Sequence, residues 1–333
     1  MKTHPIAGRA FVAILALACV LLQPGWCRAQ ASPLVMGLAS TDSKQFLLGS
    51  WRPVLDDLSK RLGRPVEAVV LDDYAGVIWS MAADRVQLAW LGNKAAIEAV
   101  DRAGAEVVAQ TTTKYGAGYY AHLIARRDAP WNSAEDVLDH AGEIEFGIGD
   151  PNSTSGFTVP SYYLFASRGV DPAGAFKRLV HHNHEENFLA VASGQLDVAT
   201  NNSSALGRYR ERFPEQYKRI KIIWTSPRIP SDPVLVRSDL DPALKAEIRD
   251  FFVGYARPGK GKTRAGVRRE AANLAARKWV GFQESDNSQL DPIRRLELYK
   301  KRLKLERDET LSGVERRTRL DEVDADLRAL DRK

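Results

Sequence analysis

The sequence predicts an α/β protein built as two lobes, and three observations carry that expectation. Short apolar runs alternate with helical segments of ten or more residues from residue 33 onward. The same alternation resumes in the middle third of the chain. With 333 residues, 44% of them hydrophobic, there is enough chain for two domains with real cores. Ligands of such sheets sit at the carboxyl ends of strands, so those ends are where binding residues are sought.

The elements follow in order. Pro33–Thr41 reads as a short buried strand ending in a turn, and Phe46–Gly63 as a helix with a glycine stop. Pro65–Asp73 is a second strand, "YAGVIWSMAADR" a helix, Val86–Gly92 a third strand and "NKAAIEAVDRAG" the helix after it. This succession predicts a largely parallel sheet. In the middle third, "YYAHLIARR" and "IEFGIGD" are strands, the latter leading through "DPNSTSG" into a helix beginning near Ser155. Gly194–Asn202, Ile220–Ser226 and Asp232–Leu240 are further strands, and "PALKAEIRDFFVGYA" is a helix. From Asp291 the chain is highly charged, with sparse leucines at helical spacing. That pattern suits a solvated helical tail or an arm that pairs with another subunit, because the apolar stripe is too thin for a core of its own.

The first 31 residues differ. Lys2 and Arg9 precede the apolar run Ala10–Leu22, and a Gln-Pro-Gly break and the small-residue site Ala29-Gln30-Ala31 follow. This is the layout of a cleavable export signal, preferred over an uncleaved anchor or a lipoprotein anchored at Cys19. Both cysteines, Cys19 and Cys27, lie inside it, so the mature chain is expected to hold no disulfide and no thiolate chemistry. Removing Lys2, Arg9 and Arg28 takes 48 basic residues to 45 against 42 acidic, a balance of +3. With no basic stripe among aromatics, a nucleic-acid partner is not expected.

Three groups of residues can carry chemistry. Ser153, Thr154 and Ser155, followed by Gly156, place three hydroxyls at a helix start. A simple N-cap needs one. Three, with free helix-start amides, can hold a tetrahedral oxyanion without any charged side chain. "HHNHEEN" (His181–Asn187) contains imidazoles and carboxylates, but its spacing does not match a zinc site, so one histidine donating to an anion is the better reading. Tyr74, Trp90, Tyr119 and Tyr120 sit near strand ends, where most aromatics are core and some are neutral donors. No Ser-His-Asp spacing, metalloprotease helix or lysine phosphate loop occurs, so neither an enzyme nor a cofactor or metal is expected. A zinc hydrolase at His181, His182 and His184 is the enzyme alternative.

Beyond the signal, the chain resembles the phosphonate-binding subunits of bacterial ABC transporters (the PhnD-type periplasmic proteins). The resemblance rests on "DYAGVIWSM", "AWLGN", "AIEAVDR", "GDPNSTSGF", "NHEEN", "DVATNN" and "IPSDP". It implies a type II periplasmic binding protein whose two lobes close on a ligand by a hinge, delivering a phosphonate to an ABC permease. The implied division is 1–31 signal, 32–120 with 228–285 as lobe 1, 121–227 as lobe 2 and 286–333 as a C-terminal helical extension. The partners it implies are a small-molecule phosphonate and the permease; the charged C-terminal helices add the option of a homodimer paired through them. Residue by residue, it places the phosphonate seat on Ser153, Thr154 and Ser155. Further contacts fall on Tyr74, Tyr119 and His184, an amine partner on Asp232, and cleft positions on Ser40 and Thr41. Two departures bear on specificity: Ser204 stands where aminoalkylphosphonate binders carry a second carboxylate, and Arg228 where they carry an apolar residue. If both faced the cleft, the preference for an ammonium tail would weaken in favour of a neutral alkyl, an anionic tail or a small oxyanion such as phosphite. Phosphite or phosphate binding, and a ligand-sensing role at a membrane receptor, are the alternatives of the same fold.

Overall fold

The computed structural model describes residues 32–332. The expected export signal and its cysteines lie outside the described residues. Strands β1 (Leu34–Leu38), β2 (Val66–Val70), β3 (Leu88–Trp90) and β4 (Ala105–Thr112) alternate with helices α1 (Lys44–Leu62), α2 (Tyr74–Ala82) and α3 (Asn93–Ala103). The chain then crosses to β5 (Ala121–Arg126), α4 (Ala134–Asp139) and β6 (Glu145–Ile148), a helical run over 154–168, α5 (Pro172–Ala175) and β7 (Arg178–His181). There follow α6 (His184–Ser193), β8 (Val198–Asn202), α7 (Ser203–Arg212), α8 (Pro214–Lys218) and β9 (Ile220–Thr225). It returns with β10 (Pro233–Arg237), α9 (Pro242–Gly254), α10 (Arg264–Leu274) and β11 (Gly281–Glu284), and ends in α11 (Asp291–Arg307) and α12 (Gly313–Asp331).

Two mixed sheets result, ordered β11-β4-β10-β3-β1-β2 and β7-β6-β8-β5-β9. The expectation of largely parallel sheets is corrected. β1 pairs in parallel with β2 and β3, and β6 with β7 and β8. β10 and β11, however, run antiparallel to their neighbours, as β5 does to β8 and β9. The reason is topological: β10 arrives from the other sheet and not through a right-handed βαβ crossover, so nothing forces it parallel. The two chain passages between sheets run side by side. Tyr119 and Ile229 exchange backbone hydrogen bonds of 2.9 and 2.8 Å there.

Helix α1 shows how the local sequence sets the frame. Leu47, Trp51, Val54, Leu55 and Leu58 recur at helical spacing and are buried, and Gly63 ends the helix in the left-handed conformation at φ 63°. Trp51 meets Trp90 and Trp279 with ring centroids 6.0 and 5.4 Å apart, and Phe252 and Phe282 join this aromatic cluster. The second sheet is covered by Phe146, Phe165 and Phe176 on one side and by Phe188, Leu206 and Tyr209 on the other.

The charged C-terminal segment is helical as expected, but α11 is no free arm. Ile293 and Leu296 join the first sheet's core, and Arg294 pairs with Asp101 of α3 at 2.6 Å. Further along α11, Arg307 donates to the carbonyl of Ala166 at 2.6 Å. The thin apolar stripe is thus covered by the same chain, and α11 touches elements packed on both sheets.

Candidate ligand-binding site

A small polar cavity lies where the carboxyl ends of β1, β3 and β8 meet the helical run after β6. Its lining brings together Thr41, Tyr74, Tyr119, Ser153, Thr154, Ser155, His184, Ser204 and Asp232. These come from seven separate segments of sequence between residues 41 and 232, and only the fold assembles them.

The hydroxyl cluster is built by an unusual turn. Ser153 is the N-cap, its Oγ accepting from the amide of Gly156 at 3.0 Å, so the helix begins at Thr154, one residue earlier than the sequence predicts. The helix is wound as π-turns over Thr154–Thr158 and Ser161–Phe165. The carbonyl of Gly156 is already taken by the amide of Gly149 at 2.9 Å and the hydroxyl of Thr200 at 2.8 Å. Pro160, four residues on, has no N–H to donate to it. The bonding shifts instead to the i→i−5 pattern, with the Thr158 amide reaching the carbonyl of Ser153 at 3.0 Å. Asn202 ties the cluster to β8: its Oδ1 caps α7 at the amide of Ala205, and its Nδ2 donates to Ser155 Oγ at 3.2 Å.

The remaining groups are placed by caps and strand ends. Asp73 caps α2 at the amide of Gly76, which sets Tyr74 in the first turn. Asn183 and Glu186 form a capping box that opens α6 at His184, whose Nε2 lies 3.5 Å from Ser155 Oγ. Thr154 Oγ1 accepts from the amide of Lys94 at 2.9 Å, joining the seat to the start of α3. The backbone of Thr111 holds the carbonyl of Asp232 at 3.2 Å, beside the passage between sheets.

Burial sets the protonation of these groups. It drives His184 down to about 4, although Asp42 pulls the other way, so the imidazole is neutral near pH 7. Burial lifts Tyr74 and Tyr119 above the ordinary phenol range, with Asp232 adding to both shifts, and both stay as neutral hydroxyl donors. Asp232 is pushed up to about 6 by burial against the opposing pull of Tyr119, Arg277 and Arg208, and its Oδ1 has no hydrogen-bond partner.

Two arginines in the lining were not anticipated by the sequence reading, which had envisaged an anion held by neutral groups alone. Arg208, on α7, pairs with Asp42 at 2.7 Å, and Asp42 also receives Arg212 at 3.2 Å and the Thr41 hydroxyl at 2.8 Å. Arg277 follows α10 and lies with its guanidinium 4.3 Å from the ring centroid of Trp90 and 4.7 Å from that of Trp279. It is 2% exposed, and none of its three side-chain nitrogens makes a hydrogen bond. Arg208 was open to discovery, since it follows Ser204 by one helical turn on α7. Nothing local around Arg277 marks it.

Other expected residues fall elsewhere. Ser40 is half-buried outside the lining, while its neighbour Thr41 is within it. Arg228 is a correction: it is exposed, packs over Gly118 and donates weakly to the carbonyl of Tyr115 at 3.4 Å, because the passage between sheets turns its side chain outward. Tyr120 is 41% exposed. His181 Nδ1 is tied to the carbonyl of Gly149 at 2.9 Å, away from the lining to which His184 belongs. Among the described residues, no group of three metal-ligating side chains is arranged to hold an ion.

Comparison with known proteins places the whole chain in a family. Residues 36–290 match the model of a family described as the phosphonate periplasmic substrate-binding protein of ABC transporters. The chain is 42% identical to the phosphonates-binding periplasmic protein of Escherichia coli K12, with 100% of this chain and 95% of the relative aligned. It is 28% identical to the phosphate-import protein PhnD of Mycolicibacterium smegmatis, over 75% of this chain and 81% of the relative. Among solved structures, a binding-protein component of an ABC phosphonate transporter from Pseudomonas aeruginosa matches with a TM-score of 0.84 and 44% identity, covering 90% of this chain and 97% of that one. PhnD1 from Prochlorococcus marinus, solved with methylphosphonate, shares the fold at a TM-score of 0.68 and 17% identity, over 80% and 98% of the two chains. The chain belongs to the family of periplasmic substrate-binding proteins that serve phosphonate ABC transporters.

Proposed function

We propose that the cavity seats the phosphonate head of the ligand on Ser153, Thr154 and Ser155, with Tyr74, Tyr119 and His184 as further neutral donors. The observation that carries this reading is the convergence of three hydroxyls at one helix start with two phenols and a neutral imidazole in a single buried cavity. A doubly charged tetrahedral oxyanion can occupy many donors at once, whereas a smaller or planar anion leaves some unpaired, at a cost. Asp232 and Ser204 border the tail, and Thr41 closes the side nearest β1.

In this reading, residues 32–120 with 228–285 form one lobe and 121–227 the other, hinged at the paired passages around Tyr119 and Ile229. Closure removes water from the donors and strengthens each contact. The loaded protein then delivers its ligand to the permease, after export directed by a signal cut near Ala31. A homodimer through the C-terminal helices would have to use α12, because α11 is covered by its own chain.

A thermal-shift series with methylphosphonate, 2-aminoethylphosphonate, phosphite, phosphate and sulfate tests the assignment, since a ligand that binds only the folded state raises the melting temperature. Phosphonates should give the largest shifts. Phosphite or phosphate exceeding every phosphonate would transfer the assignment to those oxyanions.

A further inference from the structure

Arg277 is the group in the cavity that the proposed seat does not use. It is a buried cation with three unpartnered nitrogens, its guanidinium carbon 4.3 Å from the ring centroid of Trp90 and 4.7 Å from that of Trp279. A guanidinium stays charged near neutral pH and is costly to bury without hydrogen-bonded compensation. Asp42 does not supply it. The nearer Asp42 oxygen stands 3.8 Å from Arg277 Nη1, too far for a hydrogen bond, and that carboxylate is already engaged by Arg208, Arg212 and Thr41.

Its placement favours the tail end of the ligand over the head. The hydroxyl cluster is carried by the segment after β6, on the second sheet, whereas Trp90 and Trp279 belong to the aromatic core of the first. Asp232 is on Arg277's side, close enough for each to shift the other's protonation. The two indoles pack against the guanidinium, and its three nitrogens, none with a hydrogen-bond partner, offer the planar fork that carboxylates satisfy with paired hydrogen bonds. The indole Nε1 of Trp90, also without a partner, adds a neutral donor nearby.

We infer that the natural ligand is a phosphonate whose tail carries a carboxylate, and that Arg277 receives it beside Trp90 and Trp279. This rests on the reading of the cavity as a phosphonate seat. Arg277 is then the specificity-determining residue for the tail. The free Oδ1 of Asp232 accepts an ammonium on the same tail, so an amino-acid phosphonate engages both charges.

Two matched pairs of ligands isolate the carboxylate. 2-Amino-3-phosphonopropionate is 2-aminoethylphosphonate with a carboxylate added at the amine-bearing carbon, and 3-phosphonopropionate is ethylphosphonate with one added at its end. Calorimetry on the unmodified protein should show the carboxylate tightening binding by about tenfold or more in both pairs. In Arg277→Gln that gain should vanish, while ethylphosphonate affinity changes by less than about threefold. Arg277→Lys, which keeps the charge but not the planar fork, should retain part of the gain. A carboxylate that leaves affinity unchanged or weakens it in the unmodified protein overturns the inference without any variant, and leaves the phosphonate seat standing. Equal weakening of all four ligands by Arg277→Gln would assign Arg277 to the head and overturn it as well. Failure of all four to bind the unmodified protein would remove the seat itself.

Discussion

The carboxylate of Asp42 and the guanidinium of Arg208 meet at 2.7 Å with 2% and 4% of their surfaces exposed. Asp42 follows β1 and Arg208 lies on α7, so the pair joins elements packed on different sheets, with Arg208 in the cavity lining and Asp42 next to the lining residue Thr41. Arg212 and Arg277 share the same carboxylate, which their combined charge and Thr41 hold below the usual carboxylate range despite its burial. Asp42→Asn therefore strands Arg208 and removes a nearby counter-charge from Arg277, while Arg212 keeps Glu185 at 2.8 Å. Removing one member of a buried ion pair costs about 3–5 kcal/mol when the remaining charge stays buried. If the lobes can part, the arginines rehydrate, and the cost falls on the closed arrangement more than on the fold. Phosphonate affinity should drop by about tenfold or more, while the melting temperature of the ligand-free protein falls by only a few degrees. Calorimetry and a thermal melt on the same preparation compare the two, and an affinity within twofold of the unmodified protein would contradict a role for this ion pair in the closed arrangement.

Ser153 and Ser155 should separate stability from binding. Ser153 Oγ caps the helix by accepting from Gly156, so Ser153→Ala should cost about 1 kcal/mol of unfolding free energy in addition to any lost ligand contact. Ser155 Oγ receives the side-chain amide of Asn202 at 3.2 Å and lies 3.5 Å from His184 Nε2, with the Tyr119 hydroxyl also in reach, and it caps no helix amide. Ser155→Ala should weaken phosphonate binding by about 1–3 kcal/mol, as expected for a lost hydrogen bond to a charged group, with a smaller effect on unfolding. Denaturant titration beside calorimetry reads both quantities, and unchanged affinity in Ser155→Ala would remove Ser155 from the seat.

His184 and Asp232 have opposing pH signatures. The folded pKa of His184 is depressed to about 4, so its contribution to stability is present above the unfolded value of 6.5 and is lost as pH falls through about 4. That of Asp232 is raised to about 6, so its contribution is present below the unfolded value of 3.8 and is lost as pH rises through about 6. Across pH 4–6 the two nearly cancel. Asp232→Asn leaves His184 unopposed, and its melting temperature should fall more steeply on acidification than that of the unmodified protein. His184→Asn leaves Asp232 unopposed and should flatten or reverse that fall. Melts at half-unit steps from pH 4 to 7, taken as differences from the unmodified protein, check the signs, and parallel curves for all three proteins would contradict both shifts.

Much of this was legible in sequence because it is local. β1, β2, β3, β5 and β8 are short apolar runs bounded by turn residues, and "DPNSTSG" advertises its hydroxyls before any fold is known. β4 was missed because it follows α3 with only Gly104, at φ 59°, between them, and so reads as a continuation of the helix. Arg277 and Arg228 mark the limit. Both are arginines in unremarkable surroundings. One is drawn inward because Trp90 and Trp279 offer two faces to its guanidinium, and the other is turned outward over Gly118 by the passage between sheets. Which way each points depends on strand pairings formed over a hundred residues away, and no spacing rule carries that information.

The closest backbone approach at the seat gives the last prediction. A Cβ on Gly149 would stand 2.7 Å from the Cα of Gly156, and one on Gly156 would stand 3.0 Å from the Cα of Gly149. Backbone meets backbone here, so no side chain can swing away to make room. The approach lets the Gly149 amide reach the Gly156 carbonyl at 2.9 Å, the contact that diverts that carbonyl from its helix and helps to widen the turn presenting Thr154 and Ser155. Gly149→Ala must push the strand end and the helix start apart. It should destabilise the protein by about 1–3 kcal/mol, the usual cost of overpacking, and weaken phosphonate binding by more than that loss of stability explains, because the seat itself is displaced. Gly142→Ala, where a Cβ would meet nothing within 4 Å, serves as the control and should change neither. Native-like affinity in Gly149→Ala would show that the seat does not depend on this approach.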